Sequence, residues 1–172
     1  VETSSEVPDD TDAACTWALP QDATGARRAR SLLVSTLTGF GATSETIDDA
    51  RLMVSELATN AFRHALTYGP HELWVDLTGL GTFVCAVFDA LPVAALSSDQ
   101  MACGDFGRGL GIVTELSQGR WGMRVTRSRL RPGVPGKAVW FAGALPYCSG
   151  GTQAAVAAGG RQPAGVVLAA GW

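Results

Sequence analysis

The seven residues from Thr82 to Phe88, TFVCAVF, are apolar on both faces of an extended chain. A strand of that composition belongs inside a sheet, with neighbours at both edges and cover on its faces. The residues before it alternate: Leu73, Val75 and Leu77 fall on one side of Glu72–Thr78, Trp74 and Asp76 on the other. That pattern predicts a half-buried strand. Gly79-Leu80-Gly81 joins the two by a hairpin-like turn, and the second strand ends in Asp89. A paired sheet with a buried central strand is therefore the frame that the other segments must fit.

The cover comes from helices. Arg51–Ala65, RLMVSELATNAFRHA, places Glu56, Asn60 and His64 one turn apart. At a 3.6-residue period they lie about 40° apart in succession and share one face. Ile47, Ala50, Val54, Leu57, Ala58, Ala61 and Phe62 occupy the opposite arc, with Arg51 a charge among them. Thr43 or Ser44 opens this helix, and Thr67-Tyr68-Gly69-Pro70 stops it after about Leu66. An earlier helix, from about Ala23 to Gly39, can be capped by Asp22 and carries the stripe Ala26, Ala29, Leu33, Leu37, Phe40. Arg27, Arg28 and Arg30 lie off that stripe, on a solvated face. Gly39 and Gly41 end it.

Ala14–Leu19, closed by Pro20, reads as an edge strand. Residues 90–106 are irregular, a loop or lid of the length that is usually functional inside a compact domain. Phe106-Gly-Arg-Gly-Leu-Gly-Ile opens a helix with Leu110, Val113 and Leu116 on one face. Met123–Arg129 and Lys137–Ala142 read as a hairpin across Arg131–Gly136. The arginines from Arg120 to Arg131 fall on the wet face and rim of its first strand. The order of elements predicts an α/β (α+β) two-layer sandwich: a mixed, mainly antiparallel sheet covered on one face by helices, with a lid loop. Residues 1–13 read as a disordered leader, 14–146 as the domain, and 147–172 as a flexible Ala/Gly-rich tail.

The totals exclude several function classes. With 172 residues there is room for a real core. The formal charge of −3 argues against a nucleic-acid surface. No apolar run reaches the ~20 residues of a membrane helix, and the acidic first residues are unlike a signal peptide, so a cytoplasmic location is expected. Cys15, Cys85, Cys103 and Cys148 form no CxxC pair, which argues against zinc. Lysine occurs once, at Lys137.

Within that frame some residues could do chemistry. Glycines 107, 109 and 111 precede a helix start, where unpaired N–H groups can meet a phosphate; turn formation alone would also explain them. They do not follow the first strand of a βαβ unit, as a dinucleotide fingerprint would. A carboxylate at Asp89 would cap a turn or bond to backbone or ligand amines, adenine's N6 among them. Asn60 offers a neutral oxygen suited to Mg²⁺. Glu56 could accept a proton from an attacking hydroxyl or water. His64 suits the dipole at a helix C-terminus, or a ligand's water shell.

In their order, these features resemble the GHKL (histidine-kinase-like) ATPase superfamily. SELATNAFRHA is similar to its N-box, VFDALP to its first glycine box, GRGLGIVTELSQGRWG to its second and GKAVWF to its last strand. Over about residues 14–143 the chain most resembles the small stand-alone branch, the anti-sigma-factor serine kinases of RsbW type. The resemblance implies a Bergerat-type ATP-binding fold, with ATP and Mg²⁺ as cofactors. It implies Glu56 as general base, Asn60 as Mg²⁺ ligand, Asp89 on the adenine amine, and Arg108, Gly109 and Gly111 at the phosphates. It also implies partners: a sigma factor and a STAS-domain antagonist phosphorylated on serine, with the chain a homodimer. Two departures stand out. The first box, Asp89-Ala-Leu-Pro-Val, lacks its glycines. Ala138 replaces a family hydroxyl expected near the base, a loss of about 1 kcal/mol. These departures motivate the alternative to the kinase, a nucleotide-gated regulator that captures a partner without phosphorylating it.

Overall fold

The computed structural model describes residues 13–78, 81–92 and 107–146. The elements are β1 (Ala13–Leu19), α1 (Gly25–Gly39), α2 (Ser44–Ala65), β2 (His71–Thr78), β3 (Thr82–Asp89), α3 (Gly107–Leu116), β4 (Trp121–Arg127) and β5 (Pro135–Ala144). The strands form one sheet in the order β1-β2-β3-β5-β4. The predicted sandwich is present, and every pairing is antiparallel where a mixed sheet was allowed. β1 is an edge strand and β3 is central, as their sequences required. The leader and tail fall almost wholly outside the described residues, as does the loop from 93 to 106.

Local signals set the helix ends. Asp22 is not the cap that was expected: its Oδ1 accepts from the Thr24 amide at 2.7 Å and the Thr24 hydroxyl at 2.5 Å, a turn before the helix, and the helix begins later, at Gly25 after Thr24. At the other end Gly41 (φ 72°) takes the left-handed conformation. This lets the Ala42 amide reach Leu37 O and the Gly41 amide reach Thr38 O, both at 3.0 Å, closing the helix by a Schellman turn. Thr43 rather than Ser44 caps α2, accepting from the Thr46 amide at 3.2 Å. Arg51 is exposed and pairs with exposed Asp48 at 3.2 Å, a contact of little energetic weight. Arg27 and Arg28 are exposed, while half-buried Arg30 donates to Ser55 Oγ.

α1 packs against α2, and α2 against β3. The main core lies between them and one face of the sheet. Leu33, Leu37, Val54 and Leu57 from the helices meet Leu73, Val75, Phe83, Cys85, Val87 and Phe141 from the strands. Phe83 and Phe141 contact edge to face, 6.1 Å between centroids. Cys85 is fully buried, and its thiol is pushed far up, chiefly by that burial and secondarily by the Asp76 carboxylate. Since thiolate is the nucleophile, iodoacetamide at pH 8 should leave Cys85 unmodified in the native protein and alkylate it in denaturant. Peptide mass spectrometry reads the difference, and rapid native labelling would contradict this core.

The other face of the sheet corrects two expectations. β2 is buried on both sides rather than on one. Trp74 stacks on Phe88 with centroids 5.5 Å apart, and Ala86 and Ala138 pack beside them. Arg129 is not on a wet rim. The loop from 128 to 134 turns back across the sheet, and the Arg129 guanidinium lies 4.4 Å from the Trp74 ring centroid. It also donates both terminal nitrogens to Asp76, at 2.8 and 2.7 Å. Glu72, wholly buried, anchors that loop. Its carboxylate accepts from the Ser128 hydroxyl, from Trp74 Nε1 at 2.8 Å, and from the amides of Arg129 at 3.0 Å and Leu130 at 3.4 Å. The cause is ordinary: a buried carboxylate must be given donors, and the loop supplies them. Glu72→Ala strands these donors, at ~1–3 kcal/mol for each that water cannot reach. A loss of about 2–4 kcal/mol is expected in urea denaturation. A change within 0.5 kcal/mol, about the scatter of neutral surface changes, would mean that the loop is not held this way.

Candidate functional site

The cavity that matters lies between α2, α3 and the helix-covered face of β3 and β5. Leu57, Asn60, Ala61 and His64 line it from α2, and Leu110 from α3. Val87 and Asp89 line it from β3, Leu91 from the segment that follows, and Lys137 and Val139 from β5. The walls are mainly aliphatic and the polar groups few, the usual make-up of a small-molecule site. Three of the predicted residues, Asn60, His64 and Asp89, are thus brought to one cavity. Asn60 is half-buried and His64 exposed.

Asp89 ends β3 because the sheet's register brings it opposite Lys137. The Lys137 ammonium lies 2.5 Å from Asp89 Oδ2, both side chains being almost completely buried. Asp89 Oδ1 accepts from the Leu91 amide at 3.1 Å. Of the two roles open to this carboxylate, the turn contact is therefore present and an ion pair is added. Leu91 is itself buried against Ala65 and Met123. The Ala90 amide donates to Tyr68 O at 3.1 Å, so the glycine-free first box is tied down on both sides. Gly136, by contrast, is needed. A Cβ there would lie 2.6 Å from Phe88 Cζ and 2.8 Å from Ala90 Cα, and backbone cannot yield to it.

The same register overturns the expectation for Ala138. Alternation along β5 turns Lys137 and Val139 toward the cavity and Ala138 to the opposite face, where it packs with Trp74 and Phe88. A hydroxyl at 138 would not stand beside a ligand in this cavity, and no loss of binding follows from its absence.

Glu56 does not line the cavity. It lies one turn before Asn60, half-buried, with its carboxylate against Gly109 of α3. A Cβ at 109 would collide with Glu56 Oε2, so a side chain there would push this carboxylate aside. Glycines 107, 109 and 111 do not precede the helix, as predicted, but form its first turns. The carboxylate therefore sits near a helix N-terminus, where the dipole favours negative charge. An added Cβ at Gly111 would meet nothing within 4 Å among the described residues. The Arg108 side chain and residues 93–106 lie outside the described residues.

The donor set suits a purine nucleotide with a hard cation. Aliphatic walls would hold a base, Asp89 and Lys137 offer an acceptor and a donor at its edge, and the amide oxygen of Asn60 suits Mg²⁺. No cluster of three or more His, Cys, Asp or Glu able to hold a metal occurs among the described residues. The size fits less well. The cavity measures about 20 Å³, room for about one water, against the ~300–1,000 Å³ of ligand pockets. Entry of a base thus requires the walls to part. Leu110, a buried core residue, is the wall that α3 contributes, and α3 packs on α2.

Lys137 is the site residue that the sequence reading passed over. Two signals were available. It is the only lysine, and it follows a glycine at the start of a strand. No helix long and apolar enough to cross a membrane occurs among the described residues. A family model described as a histidine kinase-like ATPase domain matches residues 19–126, more than half of the chain. No curated protein matches it.

Proposed function

The chain belongs to the histidine kinase-like ATPase family, and from that premise we propose that the cavity between α2, α3 and the sheet binds Mg·ATP and serves an anti-sigma-factor serine kinase. The observation that carries the nucleotide reading is the convergence of Asn60, His64, Asp89 and Lys137 on one aliphatic cavity. Bound Mg·ATP supplies the phosphoryl group and the cation that offsets its charge. Asp89 and Lys137 hold the base edge, and Val87, Leu91, Leu110 and Val139 exclude water from its faces. Asn60 holds the cation, with His64 at its water shell. Glu56 accepts the proton of the attacking serine hydroxyl. Gly109, Gly111 and Arg108 stand on the phosphate side. The protein substrate is a serine of a STAS-domain antagonist, and the captured partner is a sigma factor; the acting form is a homodimer in the cytoplasm. What supports the kinase over a bare ATPase is the likeness of the four boxes to the stand-alone branch.

The tied-down first box and the narrow cavity favour one second reading, a regulator whose partner surface changes as nucleotide opens the site. A thermal melt with and without Mg·ATP tests the shared step. Ligand at about 100 times Kd should add roughly 2.7 kcal/mol, a Tm rise on the order of 5–10 °C. No rise at millimolar Mg·ATP would sink both readings. Phosphoserine on a STAS partner, read by mass spectrometry, separates them: its appearance excludes the regulator, and its absence at full nucleotide occupancy excludes the kinase.

A further inference from the structure

Asp89 and Lys137 form a pair of opposite hydrogen-bonding character at the wall of the cavity, and neither is fully used. A carboxylate offers about four lone-pair sites. Here Oδ1 accepts from the Leu91 amide and Oδ2 from Lys137. An ammonium has three N–H donors. Asp89 takes one, and no second acceptor for it is found among the described residues. The side chains are 1 % and 7 % exposed, so bulk water is a poor substitute. A buried ammonium with unspent donors is costly unless something in the cavity takes them. Both groups line that cavity.

We propose that Lys137 is a second base-reading group, its ammonium donating to a ring nitrogen of the adenine whose amine Asp89 accepts. The inference rests on the nucleotide reading above and adds a specificity residue to it. The chemistry of the base edge matches the pair. Adenine's N6 amine is a donor flanked on each side by a ring acceptor, N1 and N7. Beside the carboxylate that takes the amine, an ammonium meets one of them. The pair holds its own geometry, so neither side chain has to be ordered by the ligand.

The test is titration calorimetry of the full chain with Mg·ADP, 1-deaza-ADP and 7-deaza-ADP. Each deaza analogue replaces one flanking nitrogen by C–H and keeps the amine. One of them should bind about 10-fold or more weaker than ADP, the size expected for a hydrogen bond from a charged donor. Which one identifies the nitrogen. The same titrations on Lys137→Met should bring the affected analogue to within about twofold of ADP. That variant leaves Asp89 buried without its cation, so Asp89→Asn/Lys137→Met is made in parallel; its neutral pair should also lose the discrimination. If ADP binds and both analogues bind as well as ADP, the inference is overturned while the nucleotide site stands. It is equally overturned if the discrimination survives removal of the ammonium. If the wild-type chain binds no ADP, the nucleotide reading falls and this inference with it.

Discussion

Asp89→Ala is expected to destabilise the fold by about 3–5 kcal/mol, the usual result of removing one partner from a buried ion pair. The ammonium of Lys137 would then lie almost wholly buried opposite nothing. Against a total stability of ~5–15 kcal/mol this is a large fraction. In urea the midpoint should fall at unchanged slope, which separates lost stability from a changed denatured state. Replacing both members, Asp89→Ala with Lys137→Met, should recover most of the loss, because an apolar pair of similar volume is often as stable as the ions. If the double variant is as unstable as the single one, the pair is not the cause. The comparison also governs how ligand experiments are read. Lost nucleotide binding in Asp89→Ala alone is not evidence of a contact to the base, because the variant also disturbs the wall that carries Lys137.

Glu56→Gln should lower phosphotransfer to a STAS substrate by ~10²–10⁴-fold, the range for a general base. The amide keeps the shape of the carboxylate, so its contact with Gly109 persists and the fold should not suffer. The Mg·ATP-dependent rise in Tm should be retained, since Glu56 does not line the cavity. Unchanged phosphotransfer would assign the proton to another group. A lost thermal response together with lost transfer would place Glu56 in binding instead.

The parts of this fold that were legible in the sequence are those fixed by short-range pattern. The 3.6-residue period of α2 gave its buried arc, now Ala50, Val54, Leu57, Ala58 and Ala61. Apolar residues on both faces of 82–88 gave the central strand. What was not legible depended on pairing at a distance. Lys137 meets Asp89 only because β5 lies beside β3 in one register. Had the register slipped by one residue, Ala138 would face the cavity and Lys137 would be turned away. Arg129 illustrates the same limit: among exposed arginines nothing local marks the one that folds back onto Trp74. The glycines of α3 misled for another reason. Glycine costs ~1 kcal/mol in a helix, so a run of three reads as a turn. In α3 at least one is accepted because Gly109 gives Glu56 room.

The strand order has a consequence for when the site comes into being. β5, the last strand described, is inserted between β3 and β4, and it carries Lys137 and Val139. The α1–α2 and β2–β3 pairings are local and can form early, but the contact of Asp89 with Lys137 closes a loop of 48 residues. A chain emerging from the ribosome therefore has its carboxylate long before it has its ammonium. Until β5 is made and inserted, this wall of the cavity is absent and Asp89 is without its cation. The cavity is therefore completed only in the step that completes the sheet.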